Sequence, residues 1–277
     1  AYGPGLVKYS GYTTAFSSAI LGLIPNSTYY AVVLARNAYG IETATRTLGS
    51  TVTYAADPAS AASTWTAVSS VALTAAWDAN GNPVGTRFEA ILSTAALPNA
   101  LPANLTVSTY PYGPPAVSFA ALTPDTTYYL SVQAVNHTGI PSVRTILGST
   151  ITLASPPVPS TAPFAGIFLT SMTVQWSSGT NPAWTQYRVD AATSSDYGGT
   201  LLSTSWEAFT STTVSGLAAN TTFYLRVQAR NSVGTRTAFL PIGATATLAN
   251  FPVDGGNPFP MVGLSSLTAS WATAGNP

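Results

Sequence analysis

Between Tyr128 and Val135 the chain changes side at every step. Tyr128, Leu130, Val132 and Ala134 alternate with Tyr129, Ser131, Gln133 and Val135. A period of two predicts a strand with one face packed inward and the other turned out. A turn precedes it, in which Pro124 presets φ and Asp125 is expected to hydrogen-bond its own backbone. The whole stretch, LTPDTTYYLSVQAVN from Leu122, recurs as LIPNSTYYAVVLARN from Leu23 and as LAANTTFYLRVQARN from Leu217. Copies spaced by roughly a hundred residues predict a tandem array of small domains.

Further strands follow from the same alternation. Val71, Leu73, Ala75 and Trp77 form one, and Arg87 to Leu92 the next, across the loop Asp78 to Gly85. Ala116 to Ala121 is a short strand before the recurring stretch, and Arg144 to Ala154 closes the repeat. Met172, Val174 and Trp176, then Gln186 to Asp190, repeat the pattern, as do Leu264, Leu267, Ala269 and Trp271. Four segments result: a partial repeat at 1–55, complete ones at 56–154 and 155–249, and the opening of another at 250–277. The chain is therefore expected to be a stretch of a longer repetitive protein. The proline-rich junction SPPVPS, Ser155 to Ser160, is expected to stiffen the connection and to discourage edge pairing.

The residues resemble tandem fibronectin type III domains. That family has a tryptophan on the second strand, here Trp77, Trp176 and Trp271, and an aromatic on the third, here Phe88 and Tyr187. Its L-x-P-x-T-x-Y corner is matched by Leu23, Pro25, Ser27 and Tyr29, and by Leu122, Pro124, Thr126 and Tyr128. The third copy departs, with Ala219 for the proline and Phe223 for the tyrosine, so the hydroxyl bond of a tyrosine corner is lost there. The resemblance implies an all-β fold of tandem immunoglobulin-like, fibronectin type III-like β-sandwiches. Trp77, Trp176, Trp271, Tyr29, Tyr128 and Phe223 would define its cores. It also implies roles as spacers, adhesion modules or appendages of secreted carbohydrate-active enzymes.

Composition narrows the function. Only 6% of the 277 residues are charged, against roughly 25% in ordinary soluble domains. Such weak colloidal protection suggests surfaces covered by neighbours or by sugar. Nine basic and nine acidic residues, scattered along the chain, argue against a nucleic-acid partner. There is no cysteine for a disulfide or a thiolate metal site, and no apolar run long enough to span a membrane within this segment.

Catalytic constellations are missing as well. His137 is the single histidine and reads as a solvent-facing loop residue. Glu89 and Asp190 lie in different repeats, so no carboxylate pair of the glycosidase kind forms. Asp78, Asn80 and Asn82 offer oxygens at alternate positions but read as a turn. No enzyme activity and no cofactor are expected.

Two features remain. Asn26, Asn104, Asn136 and Asn220 begin Asn-x-Ser/Thr triplets and are candidate glycosylation sites. Tyr30, Tyr129 and Tyr224 occupy the same outward position in three repeats. They are single aromatics on a sheet face, lateral contacts, or platforms for a sugar ring. The expected function is a structural repeat protein of an extracellular filament, sheath or surface stalk, its partners being copies of itself or other surface proteins, with carbohydrate as a further candidate. The alternative is a spacer or a carbohydrate- or cell-adhesion region of a large secreted adhesin or polysaccharide-degrading enzyme.

Overall fold

The alternation along the chain becomes strand after strand; among the described residues the regular elements are all strands. The computed structural model describes residues 7–96, 106–110 (backbone path only) and 115–276. It divides into two compact units, Ala1–Leu122 with Thr127–Thr150, and Thr123–Thr126 with Ile151–Pro277. The four-residue turn Thr123–Thr126 thus belongs to the second unit, while the residues on either side of it belong to the first.

The first unit opens with an antiparallel pair, β1 (Thr28–Val33) and β2 (Arg46–Val52). Its register slips between Ala31 and Val32, opposite Gly49, whose φ of 110° suits a bulge that a side chain would strain. Next come β3 (Ala59–Val68), β4 (Leu73–Asp78), β5 (Arg87–Ser93), β6 (Thr106–Tyr110), β7 (Ala116–Phe119), β8 (Thr127–Val135) and β9 (Thr145–Ile151). They form a three-stranded sheet in the order β3-β4-β7 and a four-stranded sheet in the order β6-β5-β8-β9. Each sheet has one apolar face, and the two faces bury one another. Leu73, Ala75 and Trp77 meet Phe88, Leu130, Val132 and Ala134 in one core, with the rings of Trp77 and Phe88 set edge-on at 5.6 Å.

The second unit repeats this plan with β10 (Phe164–Ile167), β11 (Ser171–Gln175), β12 (Gln186–Ala192), β13 (Leu201–Ser203), β14 (Ser211–Ser215), β15 (Thr222–Arg230) and β16 (Leu240–Ala246). Its sheets are β10-β11-β14 and β13-β12-β15-β16. Met172, Val174 and Trp176 pack on Tyr187, Val189, Phe223 and Val227, and the Trp176 and Tyr187 rings again lie 5.6 Å apart.

Two expected core residues, Trp271 and Tyr29, are not in a core. Trp271 is 67% exposed, whereas Trp77 and Trp176 are 3% and 6% exposed. It lies on β20 (Trp271–Ala272), paired with β17 (Val253–Asp254), beside a second short pair, β18 (Met261–Val262) and β19 (Leu267–Thr268). Among the described residues no facing sheet covers it, so its apolar body remains at the surface. Tyr29 is likewise only half-buried, because among the described residues β1 and β2 have no sheet opposite them.

Candidate functional site

The outward faces of the four-stranded sheets are less open than alternation alone predicts. In the second unit Asp190, on β12, is fully buried although it points away from the core. Its Oδ1 accepts a hydrogen bond from Ser203 Oγ at 2.8 Å, and its Oδ2 one from Arg226 Nε at 3.2 Å; Arg188 Nε lies 3.2 Å from Oδ1. Arg226 sits between two rings, 4.1 Å from the centroid of Tyr197 and 3.8 Å from that of Phe239. Three guanidinium groups surround Trp206, those of Arg230, Arg188 and Arg236 at 4.5, 5.3 and 5.5 Å. Cation–π contacts and the long arginine stems roof the sheet, burying Gln228 beneath them.

The first unit uses a smaller cluster. Glu89 accepts hydrogen bonds from Arg87 and, at 2.7 Å, from Gln133 Nε2, with Arg144 at 4.0 Å. Burial pushes its pKa up, but these donors and positive charges outweigh that and hold it below the ordinary glutamate range. Ser131 and Val135 on the same face are buried. In consequence Tyr129 and Tyr224 are only half-exposed, while Tyr30, on the two-stranded β1–β2 sheet, is 68% exposed. Of the three recurring tyrosines, Tyr30 alone presents most of its ring.

A second constellation was not legible as a site. Asn26, Asp125 and Asn220 fill the same turn position in three repeats, all left-handed at φ 45°, 44° and 50°. Each turn is pinned by its own repeat. Thr53 Oγ1 donates to Ile24 O at 2.7 Å and accepts from Ser27 N at 3.0 Å. Thr152 makes the same pair of bonds with Thr123 O and Thr126 N, and Thr247 with Ala218 O and Thr221 N. The turn is therefore shaped before anything lies against it.

Against the first two of these turns, those of Asn26 and Asp125, lie residues from further along the chain. Asn26 is fully buried; its Nδ2 donates to Thr86 Oγ1 at 2.9 Å and its Oδ1 accepts from His137 N at 2.7 Å. Asp125, 1% exposed and within the second unit, accepts from Thr185 Oγ1 at 2.8 Å, Ser232 N at 2.7 Å and Ser232 Oγ at 2.8 Å. Its side chain thus serves the next repeat and not, as its turn position suggested, its own backbone. A second tie runs beside each: Asn136 Nδ2 reaches Thr53 O at 3.4 Å, and Asn231 Nδ2 reaches Thr152 O at 3.2 Å. The receiving loops share the sequence Asn-Pro-x-x-Thr, at Asn82 to Thr86 and Asn181 to Thr185. Their asparagines clasp the backbone 26 residues earlier, Asn82 at Ala56 and Asn181 at Ser155, and Asn276 does the same at Asn250.

Residues 158–242 match the family model of the fibronectin type III domain. The first sandwich has the same sheet orders as the matched one, three strands facing four. Among solved structures that align with it is a two-domain fibronectin type III segment from chicken tenascin, 18% identical, covering 69% of this chain and 100% of that one, with a TM-score of 0.46. Another is the FN1-FN3 domains of chicken CNTN1, 18% identical, covering 83% of this chain and 80% of that one, with a TM-score of 0.29. Comparison with curated proteins found no match.

A tyrosine corner is visible in the first repeat, where Ile24 N donates to Tyr29 Oη at 2.8 Å. Phe223 keeps the buried ring of that corner without its hydroxyl.

Two of the candidate glycosylation asparagines are buried and bonded. The Asn26 amide nitrogen that a sugar would need is buried and already donating. Asn136 is also buried, its Oδ1 accepting from Thr138 N and Ile140 N to shape the turn after β8. Asn220 is exposed, and Asn104 lies outside the described residues. His137 has an exposed side chain and contributes only its backbone N–H to Asn26. Asp78 and Asn80 form a turn, with Asn80 N donating to Asp78 Oδ1 at 2.8 Å. Among the described residues no group of three or more His, Cys, Asp or Glu could hold a metal ion, and no helix is long and apolar enough to cross a membrane.

Proposed function

We propose that the chain is a non-catalytic structural segment of an extracellular or cell-surface protein, its modules running 1–55, 56–154, 155–249 and 250–277. The first two modules would be fastened to their successors by the buried Asn26 and Asp125 turns, giving a segment that carries load in a filament, sheath or stalk and touches copies of itself or other surface proteins. The observation that carries this reading is the fastening itself. Asn26 and Asp125 are buried by residues about 60 and 110 positions further on, with their side-chain polar atoms hydrogen-bonded there. A flexible string of beads has no use for a pre-shaped turn buried in the next bead. Pulling single molecules by their ends tests it. The wild-type chain is expected to lose residues 7–55 and the first sandwich in one event, and Asn26→Ala to split that event in two. Identical force patterns for both chains would reject a load-bearing fastening.

A second reading, a carbohydrate or cell-adhesion region of a larger secreted protein, is favoured by Tyr30. Its ring is 68% exposed, with Val32, two residues further along β1, also exposed. An exposed aromatic stacks on sugar rings or packs into a protein partner. If adhesion is the role, glycan-array binding by the wild type is expected to fall at least about tenfold in Tyr30→Ser, while thermal unfolding is unchanged. Binding that ignores this substitution would remove Tyr30 from any sugar site.

A further inference from the structure

The two fastenings differ chemically in a way that pairs each turn residue with a specific receiving residue. We infer that the residue after the asparagine that ends the recurring stretch, His137 after Asn136 and Ser232 after Asn231, decides whether the preceding repeat presents Asn or Asp, so that the pair encodes which repeat follows which. This inference rests on the reading that the turns join successive repeats.

The argument begins with donors. A buried carboxylate needs hydrogen-bond donors on its oxygens, since nothing else there replaces water. Asp125 has three: the Thr185 hydroxyl on Oδ2, and both the N–H and the hydroxyl of Ser232 on Oδ1. Among the described residues it forms no ion pair, so its side-chain oxygens are served by two hydroxyls and one N–H. The position of Asn26 offers fewer. Its Oδ1 takes the N–H of His137, and that residue has no hydroxyl to add. Its Nδ2 donates to Thr86 Oγ1, and the Thr86 hydroxyl in turn donates to Pro83 O at 2.8 Å.

The two threonines explain how one loop serves both partners. A hydroxyl both donates and accepts, and rotates to suit its neighbour. Thr86 turns its proton to Pro83 O and accepts from an amide; Thr185 turns its proton to a carboxylate. Threonine at this place is therefore neutral between Asn and Asp. The discriminating group is the extra hydroxyl, present at Ser232 and absent at His137. The His137 side chain is exposed, so replacing it removes nothing that the core needs.

A double-mutant cycle on the full chain tests this, read as the folding equilibrium constant of the first unit by chemical denaturation. Asn26→Asp is expected to lower the constant on the order of tenfold or more, because one carboxylate oxygen is short of a donor. His137→Ser alone is expected to change it by no more than about twofold. The double variant is expected to recover most of the loss. A strictly additive double variant, or an Asn26→Asp variant as stable as the wild type, would overturn the inference.

Should Asn26→Asp leave the first unit unfolded, the reverse cycle in the second unit decides. Ser232→Ala is expected to cost about tenfold beside Asp125 but no more than about twofold in the Asp125→Asn background. Equal costs in both backgrounds would overturn it. Failure of these cycles leaves the single-molecule result untouched, and failure of that result leaves the cycles untouched, so the pairing and the load-bearing role are judged separately.

Discussion

Replacing Asp125 by alanine is expected to lower the stability of the second unit by roughly 3 kcal/mol or more, since buried donors without acceptors cost about 1–3 kcal/mol each. Three donors converge on this carboxylate, from Thr185 and from the N–H and hydroxyl of Ser232. The hydroxyls of Thr185 and Ser232 can turn elsewhere; the Ser232 N–H cannot. The backbone adds to the loss, because Asp125 sits at φ 44°, where alanine is disfavoured by about 1–2 kcal/mol and Asn or Asp is tolerated. Relief of the buried charge works in the opposite direction and keeps the total from reaching the sum of these effects. Asp125→Asn separates the two contributions: it keeps the left-handed turn and two or more of the bonds, and is expected to cost about 1 kcal/mol. Denaturant unfolding, followed by the fluorescence of the second unit's tryptophans, measures both. An alanine variant within about 0.5 kcal/mol of the wild type, the range of an ordinary surface change, would show that the turn carries no structural role.

Much of the architecture could be read from the chain before its coordinates. The alternation from Tyr128 to Val135 placed Tyr128, Leu130, Val132 and Ala134 inside, and all four are buried. Trp77 and Trp176 meet the aromatics Phe88 and Tyr187 on the next strand, as the family pattern implied. Four edge strands, β3, β6, β10 and β13, were not legible. β6 and β13 are short and lie in Ser-, Thr- and Pro-rich surroundings, where backbone pairing with β5 and β12 makes the strand and side-chain period does not.

The outward face was misjudged for a related reason. Alternation states which way a side chain points, not what comes back over it. Tyr197 and Trp206 stand on segments between strands, and nothing periodic announces that they will cover Arg226, Arg188 and Arg230. Asn26 shows the limit most plainly. Asn-Ser-Thr reads as a glycan acceptor when taken locally, yet its partners are Thr86 and His137, in another repeat. A signal was present, in the shared turn position of Asn26, Asp125 and Asn220 together with the two Asn-Pro-x-x-Thr loops. It requires comparing repeats with each other across their boundaries, which a reading confined to one repeat does not do.

The tryptophans give the other large effect, and a graded one. Trp77→Ala and Trp176→Ala are each expected to cost about 3–5 kcal/mol, the range for deleting a buried large aromatic, in the first and second unit respectively. Trp271→Ala is expected to stay within about 0.5 kcal/mol, because that ring is 67% exposed on a two-stranded sheet. The family pattern alone treats the three as equivalent, so this series separates sequence position from actual packing. The ring, and not its N–H, is the source of the stability. Nε1 of both Trp77 and Trp176 is buried without a hydrogen-bond partner among the described residues. Desolvating that N–H without recompense works against the folded state, so Trp77→Phe and Trp176→Phe exchange some lost ring volume for a removed polar group. The phenylalanine variants are therefore expected to recover more than half of the alanine loss, read by thermal and denaturant unfolding of each unit. A phenylalanine variant as unstable as alanine would place the essential contact at the indole N–H, and a Trp271→Ala variant as damaging as Trp77→Ala would mean that the ring at 271 is covered in solution.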